Sequence, residues 1–126
     1  MNKSMTKDFR DLEVWKDGLS FLVQIYKLSA NFPKAETYGL TDQIRRSANS
    51  VIANIAESQG RFTFADRVRV LYQSRGEVFE VRSHLSVAFE LKYIDSIAFK
   101  KLDESYEVLS KRISSFISYL ERRKHV

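Results

Sequence analysis

The sequence predicts an all-α fold, an antiparallel up-down-up-down four-helix bundle, and three observations predict it. Apolar residues recur at intervals of three and four along four separate stretches. No stretch shows the alternation with period two that a half-buried strand requires. The breaks between stretches are short, which favours antiparallel neighbours. A length of 126 residues suits one domain spanning the whole chain, preceded only by a disordered or extended N-terminus over 1–8.

The first helix is expected from about Asp11 to Asn31. Trp15, Leu19, Leu22 and Tyr26 step along one face, and Val14, Phe21, Ile25, Leu28 and Phe32 widen it. Asp11 and Glu13 complement the positive end of the helix dipole, and Pro33, which cannot donate a backbone hydrogen bond, ends the run.

After a loop holding Tyr38 and Gly39, the second helix is expected from about Leu40 to Gln59. Its apolar line is Ile44, Ala48, Val51 and Ile55. Beside that line runs a polar one of the same period, Gln43, Ser47, Ser50, Asn54, Glu57 and Arg61. Gly60 is the expected stop, through its tolerance of positive φ.

Thr63, with Asp66 three residues on, opens the third helix in the manner of a capping box. The helix should reach about Lys92, a span of roughly 45 Å at 1.5 Å per residue. Its seam is Phe64, Val68, Leu71, Arg75, Val78, Arg82, Leu85 and Phe89, so two arginines interrupt apolar residues. If buried, they need partners, for which Glu57, Glu77 and Glu80 are expected. Alternatively their stems lie along the core while the guanidinium reaches water.

Asp95 or Ser96 should cap the fourth helix, in which Phe99, Leu102, Tyr106, Leu109, Ile113, Phe116 and Leu120 keep unbroken three-four spacing. No internal repeat or low-complexity segment interrupts the pattern.

Composition narrows the function. The chain has no cysteine, which excludes disulfides and thiolate metal sites. No apolar run approaches the roughly 20 residues that span a bilayer, so no membrane association is expected. The first eight residues lack the apolar centre of a signal peptide, which points to the cytoplasm. The net charge of +5 is regional: seven arginines and no lysine lie between Arg45 and Arg82, and a second basic cluster lies beyond residue 108.

Enzyme chemistry finds little support. A di-iron bundle needs two Glu-x-x-His pairs and two further Glu residues, whereas this chain holds only His84 and His125, with Glu80 four residues before His84. His84 reads as a helix-surface or interface residue. No serine sits in a nucleophile elbow with a paired His and acid, and no phosphate-binding Gly-Lys-Ser/Thr occurs. No metal, cofactor or catalytic residue is expected.

The run from Gly39 to Arg61 carries Gln43, Arg45-Arg46-Ser47, Asn54-Ile55-Ala56-Glu57 and Gly60-Arg61. It resembles the signature of the 23S rRNA-intervening-sequence protein family, also called the four helix bundle protein family. Phe9, Leu12, Trp15, Phe32-Pro33 and Tyr93-Ile94 extend the resemblance over roughly residues 9–120. The chain departs from the family pattern at Ser58 and Glu77, where Gly and Ser are usual; the first bears on how the second helix ends and the second on contacts near Gly76. The resemblance implies a four-helix bundle assembled as a cyclic homo-pentamer, with no enzymatic activity.

Binding remains. Arg61, Phe62, Phe64, Arg67 and Arg69 span the turn between helices two and three, where arginines can contact phosphates and aromatics can stack on bases. The competing expectation is that Phe62 and Phe64 staple the turn to the core. Arg45, Arg61, Arg67, Arg69, Lys111, Arg112, Arg122, Arg123 and Lys124 are the candidate nucleic-acid contacts. Gln43, Arg46, Ser50, Asn54, Glu57, Arg75, Glu80 and Arg82 form a candidate polar interface between helices or subunits, because one bundle needs only one buried face per helix. The reading is a non-enzymatic, oligomeric, basic RNA-binding bundle, with structured RNA, including ribosomal RNA, as the favoured ligand. The alternative is an interaction scaffold or accessory subunit for a protein partner the sequence does not specify.

Overall fold

The computed structural model describes residues 8–123. All but the last residue of the expected extended N-terminus, together with Lys124 and His125, lie outside this range. Four helices make up the fold: α1 Glu13–Ser29, α2 Leu40–Gly60, α3 Phe64–Glu90 and α4 Ser96–Arg123. Short 3-10 turns at Phe9–Asp11 and Lys34–Glu36 precede α1 and α2, and the described residues contain no strand.

Side-chain pairs give the topology directly. Arg45 near the start of α2 meets Tyr26 and Ser29 at the end of α1. The Ser74 hydroxyl of α3 donates to the Val51 carbonyl of α2 at 2.7 Å. Arg82 of α3 pairs with Asp103 of α4, and Arg112 of α4 pairs with Asp17 of α1. Each neighbour therefore runs antiparallel to the last, and the four helices close around one hydrophobic core.

The face that α1 turns inward keeps most of the expected residues, with Trp15, Phe21, Leu22 and Leu28 packed partly against the core, but is centred to one side of the expected line. Val14, Gly18, Ile25 and Ser29 are buried, while Leu19 and Tyr26 are largely exposed. The reason is close approach. A Cβ at Gly18 would lie 2.4 Å from Cγ2 of Ile52, so α1 rests on α2 along small residues and its larger side chains flank the contact. The helix starts at Glu13 and ends at Ser29, shorter at both ends than expected.

α3 is buried along two lines. Val68, Leu71, Val78 and Leu85 form the expected one, and Val70, Ser74, Val81 and Ala88 form another. It is the helix sandwiched between α2 and α4, and it shares its broadest contact with α2. Arg82 is not partnered by Glu57, Glu77 or Glu80, as expected, because it faces α4. There Nε and an Nη donate to the two Asp103 carboxylate oxygens at 2.9 and 3.3 Å, which holds the guanidinium above its ordinary pKa. Arg75 is half-buried and makes no ion pair among the described residues.

The helix ends follow local chemistry. Ser58 is buried, and its hydroxyl donates to the Ile55 carbonyl at 2.6 Å without ending α2, which continues to Gly60. Gly60 does not adopt positive φ; α2 stops because Arg61 turns extended. At the start of α3 the Thr63 hydroxyl accepts from the Asp66 amide at 3.1 Å. α3 ends at Glu90, short of the expected Lys92. Lys92 takes φ 65°, with the Tyr93 amide donating to Ala88 and the Lys92 amide to Phe89, the hydrogen-bond pair of a Schellman stop. Asp95 caps α4 by accepting from the Ala98 amide at 2.8 Å.

Candidate nucleic-acid interface

The connection between α2 and α3 is only Arg61-Phe62-Thr63, and its backbone is held from both sides. Thr63 caps α3, while Arg67 Nε donates to the Arg61 carbonyl at 2.9 Å. Phe64 packs against the core, but Phe62 is 96% exposed, so only one of the two aromatics staples the turn. The arginines around it make light contacts. Arg61 pairs with Glu57, Arg69 approaches Asp66 at 3.5 Å, and the Arg67 guanidinium lies 5.8 Å from the centre of the Phe64 ring.

The last turn of α4 comes to the same end of the bundle. Phe89 stacks on Phe99, and Arg82 pairs with Asp103. Carried along two antiparallel helices of equal rise, that register brings Arg122 and Arg123 level with the first turn of α3. Arg61, Arg67, Arg69, Arg122 and Arg123 thus share one end with Glu57, Asp66 and Glu121. The start of α1 adds Asp8, Arg10, Asp11, Glu13 and Lys16, so this end is rich in arginine while its summed charge is close to balance.

Other candidates are placed differently. Arg45 donates to the Ser29 hydroxyl at 2.8 Å and the Tyr26 carbonyl at 3.2 Å, and lies over the Tyr26 ring, so it caps the end of α1. Arg112 is engaged with Asp17. Lys111 is exposed farther down α4.

The polar-interface candidates divide. Gln43, Arg46, Ser50 and Glu80 line one cleft of about 290 Å³ between α2 and α3, together with Ser47, Glu77 and His84. Burial, and then the charge of Glu80, raise the Glu77 carboxyl above its usual range. Ser47 donates to Glu80 at 3.5 Å, and Arg46 pairs with Asp42 at 2.9 Å. Asn54 and Glu57 lie farther along α2, with Asn54 donating to the Ser50 carbonyl at 3.0 Å. Arg75 instead borders a shallow depression with Tyr72, Gly76 and Phe79 on the outer side of α3, and Arg82 faces α4.

Glu77 was missed as a cleft residue and His84 was placed only as a helix-surface or interface residue, although Glu77, Glu80 and His84 have helical spacing opposite Gln43, Ser47 and Ser50. That signal was readable; the exposure of Phe62 was not. Among the described residues, no group of three His, Asp or Glu side chains could hold a metal ion, and no helix is long and apolar enough to cross a membrane.

Comparison with known proteins adds two findings. Residues 10–115 match the family model of the 23S rRNA-intervening sequence protein. A solved structure from Bacteroides thetaiotaomicron, described as a protein of unknown function from the S23 ribosomal protein family, superposes with a TM-score of 0.77 at 24% identity, covering 83% of this chain and 95% of that one. At that identity the likeness concerns the fold. No curated protein matches the chain.

Proposed function

The chain belongs to the 23S rRNA-intervening sequence protein family, and from that premise we propose that it is a non-enzymatic, cytoplasmic, self-assembling bundle that binds structured RNA through its arginine-rich end. One observation carries the RNA reading: the antiparallel register gathers Arg61, Arg67 and Arg69 with Arg122 and Arg123 at one end. Arginine offers five donors, so a guanidinium with one carboxylate partner still has N–H groups for a phosphate. The family's name mentions 23S rRNA, and ribosomal RNA is accordingly the ligand we propose to test first.

Self-assembly, with a cyclic homo-pentamer as the form the family resemblance implies, is supported by unburied surface. The α2 polar line stays open at the cleft, and the adjoining outer face of α3 exposes Tyr72 and Phe79 on either side of Gly76.

The second reading, a protein-interaction scaffold without RNA binding, is favoured by the intramolecular contacts that Arg61, Arg67 and Arg69 already make. RNA affinity measured across salt concentrations decides between them. Arg67 is left in place, because its Nε braces the turn. Changing Arg61, Arg69 and Arg122 together to Ala should reduce the log-affinity versus log-salt slope by about two, at about 0.7 per lost contact to a single strand. A folded triple variant with unchanged slope would remove this end from the binding surface.

A further inference from the structure

We infer that Phe62 is a stacking platform for an unpaired base, so that the arginine-rich end takes single-stranded segments of RNA in preference to duplex. The inference rests on the RNA reading above and specifies its substrate class.

Phe62 is 96% exposed, at the tip of a three-residue connection. Turn geometry does not ask for phenylalanine there; Gly, Asn, Asp and Ser suit such positions better. Folding does not ask for it either, since an exposed ring contributes no burial. The ring is nevertheless presented on a braced backbone, between the Thr63 cap of α3 and the bond from Arg67 to the Arg61 carbonyl. Arg61 adjoins it in sequence and Arg69 sits in the second turn of α3, each with a partly exposed side chain. A flat apolar face flanked by phosphate-binding donors is what a single strand requires: bases stack on the ring and the backbone tracks the charges. Duplex bases are already stacked on one another and cannot reach it.

Tyr38 supplies an internal comparison. It is 95% exposed in the connection at the opposite end, where Lys34 and Glu36 lie in the same connection and Arg45 and Arg46, in the second turn of α2, line a depression with Thr37. Exposure does not distinguish the two rings; an arginine directly beside the ring does, Arg61 at Phe62 against Thr37 and Gly39 at Tyr38.

The test uses fluorescence anisotropy with a short oligoadenylate and with the same strand in an RNA duplex, at fixed salt, for the full chain. Wild type should prefer the single strand. Phe62→Ala should weaken single-strand binding by about five- to 150-fold, the range for one lost base stack, and leave duplex binding and the salt slope unchanged. Phe62→Trp should restore affinity, with its fluorescence quenched by RNA, and Tyr38→Ala should have no effect. Thermal melts should coincide, because the ring is not part of the core. Wild-type affinity in Phe62→Ala, alongside weakened binding in the arginine triple variant, would overturn stacking and leave the phosphate-contact reading standing. Absence of salt-dependent RNA binding by wild type would overturn both. Duplex binding as tight as single-strand binding would overturn the stated preference.

Discussion

Tyr106 lies fully buried on α4 with its ring 5.6 Å from that of Phe21, and its hydroxyl finds no partner among the described residues. Burial also pushes the phenol well above its ordinary pKa, so at neutral pH the group is a neutral, unsatisfied donor. An orphaned buried hydroxyl costs about 1–3 kcal/mol of desolvation, while the ring supplies the apolar contact. Tyr106→Phe should therefore stabilise the protein by about 1 kcal/mol, raising the melting temperature by about 4 °C. A lower melting temperature would mean that the hydroxyl is hydrogen-bonded in solution. Glu36 shows the opposite situation. The Leu40 amide and then the Tyr93 hydroxyl hold its carboxyl below the usual range, and an added Cβ at Gly39 would come within 2.8 Å of its Oε1. That glycine in the family-like run leaves room for a side-chain cap on α2. The spacing showed Gly39 in a loop but not the carboxylate behind it.

Among the elements, α3 was least legible because its sequence pattern averages two faces. Val70, Ser74, Val81 and Ala88 are buried as well as Val68, Leu71, Val78 and Leu85, so a search for a single stripe sees only half the burial. The partner of Arg82 was misassigned for the same reason, since the side toward α4 could not be told from the side toward α2. α4, with one continuous stripe, was read most fully: Leu102, Tyr106, Leu109, Ile113 and Leu120 are buried and Phe99 and Phe116 pack partly against the core, while the buried Ser110 and Ile117 were not in the expected stripe. The end of α3 carries its own test. Lys92 occupies the left-handed position, which costs an L-residue about 1–2 kcal/mol and glycine little. Lys92→Gly should stabilise the fold by about 1 kcal/mol, read as a higher urea midpoint with unchanged slope. Lower stability would show that the lysine side chain contributes more than its backbone costs.

At the scale of the whole molecule, Gly76 is informative. A Cβ there would meet nothing within 4 Å, yet glycine inside a helix costs about 1 kcal/mol relative to alanine. Nothing among the described residues explains the glycine, whereas a second copy packed across the Tyr72–Phe79 face would. If self-assembly uses this face, Gly76→Leu should retain helix content and reduce the mass seen by light scattering to that of the monomer. A variant that keeps the wild-type assembled mass would place the interface elsewhere, and a monomeric wild type at micromolar concentration would end the assembly proposal. The polar cleft offers the adjoining surface, with Arg46 exposed and paired only to Asp42.

Periodicity by itself determined the number of helices, their approximate limits and their antiparallel order, because each depends on local spacing and on short connections. Residue types at the helix starts also indicated the Thr63 cap and narrowed the α4 cap to Asp95 or Ser96, of which the structure uses Asp95. Only the tertiary structure decided which side chains face which neighbour. Arg45 and Arg112, both read as candidate nucleic-acid contacts, proved to be engaged with α1; Arg82, read as an interruption of the α3 seam, pairs with α4; and Phe62, for which core stapling and base stacking were both open, is 96% exposed. Such outcomes depend on helix rotation and separation, and these follow from residues distant in sequence, as Gly18 against Ile52 shows. Helical spacing specifies which residues share a face; packing alone specifies what that face meets.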